Sequence, residues 1–122
     1  MTRPEQHPVA GVDTPITLIN AISVPMAQGD RFLRRWRGNA QHMADAPGLI
    51  RARMFRAFSD DAEITFCNVA EWTSGLAFDA AHRNPEWRAA VRRLLDDPEL
   101  DVVARPMVYD VAVEVTPGVR LI

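Results

Sequence analysis

Residues 64–72 read Ile64-Thr65-Phe66-Cys67-Asn68-Val69-Ala70-Glu71-Trp72, a run that is apolar at nearly every position and carries one amide at its centre. Such a run, bounded by turn residues and rich in β-branched and aromatic side chains, predicts a strand buried on both faces. Alternation sets Ile64, Phe66, Asn68, Ala70 and Trp72 on one side, with Thr65, Cys67, Val69 and Glu71 on the other. Asn68 therefore points where Trp72 points. An amide buried without partners costs about 1–3 kcal/mol, so Asn68 demands either a hydrogen-bond network or a ligand.

Upstream of this strand, Leu49 to Phe58 alternates imperfectly, with Ile50, Ala52, Met54 and Phe58 against Arg51, Arg53, Phe55 and Ala57. Arginines on one side predict a half-exposed strand, and the short polar link Ser59-Asp60-Asp61 joins the two strands as a hairpin. Before it, Phe32, Leu33, Trp36, Ala40, Met43 and Ala44 form one helical stripe between Gln28 and Ala44, stopped by Asp45-Ala46-Pro47-Gly48. Ile16 to Val24 is a further strand, with Leu18, Asn20 and Ile22 on one face; it too carries a single amide. Downstream, Thr73 or Ser74 caps a short helix containing Phe78, and Asn84-Pro85-Glu86 opens a second whose apolar positions are Trp87, Val91, Leu94 and Leu95. The last strand is predicted over Val102 to Val115, interrupted by Pro106, with Met107, Tyr109, Val111, Val113 and Val115 on one face. The order strand, helix, strand, strand, helix pair, strand is that of an α+β, ferredoxin-like βαββαβ sandwich with helices on one face of a four-stranded sheet. Residues 1–14 read as a flexible arm, 15–116 as the folded domain and 117–122 as a tail.

Composition narrows the function classes. A chain of 122 residues with a formal net charge of −2 is one domain and offers no electrostatic reason to bind nucleic acid or an anionic membrane. It has no lysine, which excludes a lysine Schiff base. Cys67 is the only cysteine, and His7, His42 and His82 show no metal-ligand spacing. No apolar run spans a bilayer and no signal-peptide pattern opens the chain, so a cytoplasmic protein is expected. Three of the four strands are apolar on both faces, whereas a single sandwich covers only one. A second copy of the same sheet is the simplest cover, which predicts a homodimer.

These residues carry a family likeness. Thr17-Leu18-Ile19-Asn20 followed by Val24-Pro25 comes first, then Pro47-Gly48-Leu49 and Asn68-Val69-Ala70-Glu71-Trp72-Thr73-Ser74 with Phe78. Asn84-Pro85-Glu86-Trp87 and Pro106-Met107-Val108-Tyr109 complete the set. In that order and spacing, the chain from Ile16 to Val115 resembles the antibiotic biosynthesis monooxygenase family of dimeric α/β-barrel domains. The resemblance implies a barrel of two sheets from two subunits, with a ligand cavity between the sheet and the helices of each. It also implies oxidation of phenolic polycycles such as anthrones or quinols by dioxygen, with no metal or flavin cofactor; a separate branch binds and degrades haem.

Asn68 and Trp72 match the third-strand asparagine and tryptophan that contact substrate in anthrone-oxidising members. Met54 and Phe78 stand where those members have pocket tyrosines, so two phenolic proton donors are missing. Asn20 matches an asparagine of the haem-degrading branch, but Ala81 and Val91 stand where that branch has a tryptophan and an iron-binding histidine. Read as chemistry, Asn68 and Asn20 can donate amide hydrogens to a developing phenolate, while Trp72 and Phe66 can stack on a flat ring. His82 and Asp110 are the available proton acceptors, Arg88 or Arg92 could neutralise an anion, and Tyr109 lines either the cavity or the dimer seam. Equally, Asn68 and Asn20 could bond only to each other or to backbone. Two readings follow: a cofactor-independent monooxygenase acting on a small aromatic substrate and dioxygen, or a non-catalytic dimeric ligand-binding or accessory domain. A ligand site here predicts a closed apolar pocket above roughly 300 Å3 with Asn68 in its wall.

Overall fold

The structure is a computed structural model that describes residues 12–119. The stretches 1–11 and 120–122, most of the predicted arm and part of the predicted tail, lie outside the described residues. Four strands, β1 (Ile16–Ser23), β2 (Leu49–Arg56), β3 (Phe66–Trp72) and β4 (Val103–Tyr109), form one antiparallel sheet in the order β2-β3-β1-β4. Three helices, α1 (Gly29–Gln41), α2 (Gly75–His82) and α3 (Pro85–Leu95), complete the ferredoxin-like α+β fold.

Local chemistry sets these boundaries. Pro25 ends β1 and opens the 3-10 turn Met26–Gln28 that feeds α1. Helix α1 stops at Gln41, three residues short of the predicted Ala44, because residues 42–45 form turns, with Met43 N–H donating to Ala40 O at 2.9 Å. Met43 is nevertheless buried, so the stripe outlasts the helix. Gly48 has φ of +91° and its carbonyl accepts from Thr73 N at 2.8 Å; a Cβ there would lie 2.4 Å from the Ala77 Cβ. Only glycine fits that turn. The Ser74 side chain accepts from Ala77 N and opens α2, whose first N–H groups also donate to the carbonyls of Thr14 and Val12. The Asn84 side chain accepts from Glu86 N and Trp87 N, and Pro85 occupies the first position of α3.

Strands β2 and β3 pair as the predicted hairpin, with a bulge at Ile50 that sets Leu49 opposite Trp72 and Arg51 opposite Glu71. Strand β3 begins at Phe66 rather than Ile64. Ahead of it, the buried Thr65 hydroxyl donates to Val24 O at 2.9 Å and accepts from Val24 N at 2.9 Å, which ties the entry of β3 to the end of β1. The last strand ends at Tyr109, not Val115. Its pairing with β1 runs out at Thr17 opposite Tyr109, and Pro15 precedes β1, so no strand among the described residues lies opposite 111–115.

Candidate functional site

Register builds the site directly. On the helix-covered face, one row across all four strands reads Met54, Asn68, Asn20, Pro106. The row toward one end contains Ala70 and Leu18, and the row toward the other contains Phe66 and Ile22. All four of those neighbours are buried, whereas Asn20, Asn68 and Met54 between them are half-buried. The helical cover therefore opens over the amide row. It divides the core into two clusters: Ile16, Leu18, Met43, Ala70, Trp72 and Phe78 on one side, and Ile22, Val24, Phe32, Phe66, Leu94 and Leu100 on the other.

Three polar side-chain atoms are buried without a hydrogen-bond partner among the described residues: Asn20 Oδ1, Asn68 Oδ1 and Trp72 Nε1. The two asparagines stand directly opposite each other, yet neither oxygen accepts from the other amide or from backbone. Buried polar atoms are almost always satisfied. The three orphans, two acceptors and a donor, lie on one face of the sheet.

The aromatic residues frame this row. Trp72 meets Phe78 edge-on at 5.9 Å between ring centroids and His82 at 5.8 Å; His82 in turn lies 4.1 Å from Phe78 and 4.6 Å from Trp87. His82 Nδ1 is 2.7 Å from Phe78 O. A carbonyl oxygen only accepts, so Nδ1 carries the hydrogen and Nε2 is the basic nitrogen of the neutral ring. At the opposite end, Phe66 packs on Phe32 at 4.9 Å.

The structure thus brings Asn20, Asn68 and Met54 into one row, with Trp72, Phe78 and His82 grouped beyond one end and Phe66 beyond the other. Tyr109 is not among them. It pairs with Thr17 on the face away from the helices, in the row Arg51, Glu71, Thr17, Tyr109, and is 47% exposed. Asp110 follows the end of β4, and Arg88 and Arg92 are exposed on α3. Trp87, read from sequence as a core position of α3, is the edge neighbour of His82, which its helical spacing could not reveal.

One buried acid also escaped the sequence reading. The Asp97 side chain is buried and accepts from Arg31 Nε at 2.9 Å, Glu99 N at 2.9 Å and Arg35 Nε at 3.1 Å. The Arg31 guanidinium, then the Glu99 N–H, hold its carboxyl down at about 2 against the opposing effect of burial. Asp97 ties the end of α3 to α1. Two open depressions, of about 470 Å3 beside Arg35, Arg92 and Asp97 and about 390 Å3 beside Ser23, Asp60 and Asp101, do not include Asn20, Asn68 or Trp72 in their walls. The closed pocket expected around Asn68 is neither of these. Among the described residues, no group of three or more His, Cys, Asp or Glu is placed to hold a metal ion, and no helix is long and apolar enough to cross a membrane.

The profile of the antibiotic biosynthesis monooxygenase family matches residues 15–93. Among solved structures, a candidate monooxygenase from Shewanella loihica PV-4 superposes with a TM-score of 0.68 at 25% identity, covering 85% of this chain and 100% of its own. SnoaB, a cofactor-independent oxygenase from Streptomyces nogalater, gives 0.69 at 23% identity, covering 86% and 99%. The haem-degrader MhuD from Mycobacterium tuberculosis gives 0.61 at 24% identity, covering 83% and 99%. None of the curated proteins compared matches the sequence.

Proposed function

The chain belongs to the antibiotic biosynthesis monooxygenase family, and on that premise we propose that it is a cofactor-independent monooxygenase of an aromatic polyketide-like substrate, an anthrone or quinol, working as a cytoplasmic homodimer. The observation that carries this reading is the set of three orphaned polar atoms, Asn20 Oδ1, Asn68 Oδ1 and Trp72 Nε1, on the helix-covered sheet face. A phenol placed against the row donates its hydroxyls to the asparagine oxygens. As it ionises, either amide can turn its N–H toward the phenolate, because the two ends of an amide exchange by a half rotation. The Trp72 indole N–H adds a donor, and His82 Nε2 is the basic nitrogen nearest to Trp72 that the ring contacts identify. Oxidation of an anthrone then balances simply. The methylene carbon loses two hydrogens and gains one oxygen atom as a carbonyl, and the second oxygen atom leaves as water.

Dimerisation draws on the face opposite the helices. Its central rows hold Val69, Ile19 and Met107, and Phe55, Cys67 and Ala21, all half-buried or exposed in the single chain. Pairing of two such faces removes this apolar surface from water.

One observation favours the alternative, a non-catalytic ligand-binding or accessory domain. Met54, directly across from Asn68, and the buried Phe78 have no proton to transfer. Oxygen uptake decides between the two. With an anthrone or a hydroquinone, consumption above buffer in the wild-type chain, and its loss in Asn68→Ala and Trp72→Phe, is the expected result. Uptake no faster than buffer with every phenolic substrate overturns the oxygenase reading in favour of the binding domain.

A further inference from the structure

We infer that Arg56 receives a carboxylate of the ligand, so that the amide row takes an aromatic hydroxy acid; the assignment rests on the ligand site proposed above and adds the ligand's charge and direction. Strand β2 sets Arg51, Arg53 and Phe55 on the face away from the helices, and Ala52, Met54 and Arg56 on the helix-covered face. The row next to Met54, Asn68, Asn20 and Pro106 accordingly reads Arg56, Phe66, Ile22 and Ala104. Among the described residues, Arg56 is the only ionisable residue that the four strands place on that face. A cation one row from two unsatisfied amide oxygens, on a face otherwise apolar, fits a flat molecule with one hydroxyl-bearing edge and one anionic edge.

The surroundings of Arg56 suit that task. It is exposed on the edge strand, where a ligand can reach it. Its guanidinium lies over the Phe66 ring, 5.8 Å from the centroid, and among the described residues it makes no ion pair, although Asp60, Asp61 and Glu63 follow it in the hairpin loop. Arg51, on the opposite face, is paired with Glu71. Phe66 is 1% exposed and backed by Phe32, so the platform under the guanidinium is fixed. A guanidinium resting on an aromatic face keeps its N–H fork at the rim, and that fork matches a carboxylate through two parallel hydrogen bonds. Successive rows on one face are about 6.6 Å apart, within the span of a fused polycycle whose hydroxyls meet Asn20 and Asn68. With its acid held beyond the Phe66 end of the amide row, the ligand turns its other end toward Trp72 and His82. Arg56 thereby sets which edge of the ring meets the basic nitrogen.

Two matched ligands test this, a dihydroxyanthraquinone carboxylic acid and its primary amide, both already oxidised, so that calorimetric titration reads binding without turnover. The wild-type chain should bind the acid at least about 10-fold more tightly than the amide. Arg56→Gln should abolish that preference by weakening the acid alone, its unchanged affinity for the amide certifying the fold. Arg53→Gln removes the same charge from the opposite face and should keep the preference. A wild-type chain that binds the two ligands alike, or a preference that survives Arg56→Gln, overturns the assignment. An Arg56-dependent preference without oxygen uptake on the corresponding anthrone acid or any other phenol upholds the assignment and overturns the oxygenase reading alone. Binding of neither ligand overturns the ligand site and the role of Arg56 together.

Discussion

Replacing Asn68 by leucine should make the protein more stable while destroying its site. The Asn68 side-chain oxygen is buried with no partner, opposite an Asn20 oxygen in the same condition, and both neighbours on its face, Phe66 and Ala70, are core residues. Leaving an acceptor unsatisfied in such a place costs about 1–3 kcal/mol. Leucine has the same branched shape and number of side-chain heavy atoms, removes the orphan and joins the two apolar clusters that the amide row separates. Asn68→Leu should therefore gain about 1–3 kcal/mol, which for a domain of this size raises Tm by about 3–15 °C. Urea unfolding at one fixed protein concentration is the assay, because dimerisation makes the midpoint depend on concentration. The midpoint should rise with the slope unchanged. Asn68→Asp supplies the contrast: a carboxylate at the same buried point should lower the midpoint. If Asn68→Leu instead loses 1 kcal/mol or more, the amide is a working member of the core, and the argument that it awaits a ligand is refuted.

Two further tests address the scaffold. Gly48→Ala forces a side chain into a backbone with φ of +91° and into the Ala77 methyl, so it should destabilise by about 2–4 kcal/mol; a Tm within a degree of wild type would contradict the turn geometry. Asp97, held at about 2 by Arg31 and the Glu99 N–H, lies below the ordinary carboxylate value of about 3.9. A carboxyl depressed on folding contributes stability that is complete above the unfolded value and disappears as pH falls through the folded one. Urea midpoints followed from pH 6 to pH 2 should thus drop below about pH 4 in wild type, with a visibly shallower acid limb in Asp97→Asn. Parallel limbs in the two proteins would sink the assignment.

Much of the fold was legible because its signals are local. Asn84-Pro85-Glu86 marks the start of α3 through the hydrogen bonds those residue types make, and the capping amide does make them. Ser74 opens α2 on the same grounds. The hairpin of β2 and β3 follows from two strand-like runs joined by a short polar link. What propensity could not supply was pairing. Val111, Val113 and Val115 alternate as well as any strand in the chain, but a strand exists only where another backbone meets it, and β1 begins only at Ile16, after Pro15. Asp97 illustrates the same limit, since Asp96-Asp97-Pro98 reads as a helix stop and its arginine partners lie more than 60 residues away.

The site divides along the same line. Period-two alternation was enough to put Asn68 on the face of Trp72, and Asn20 on the face of Leu18 and Ile22. That the two amides are directly opposed is a fact of register, fixed by which residue of β1 meets which residue of β3. Register also decides Tyr109. Alternation within β4 separates it from Val108, but only the pairing with Thr17 assigns it to the face away from the helices. The physical consequence is a core that a stability argument alone would not produce. An apolar row at positions 20 and 68 would fuse the two clusters, and the chain instead keeps two unsatisfied amide oxygens at the seam. A fold that stays marginally weaker at one row, while Ser74 and Asn84 cap α2 and α3 and Gly48 closes its turn, is what the proposed ligand site requires.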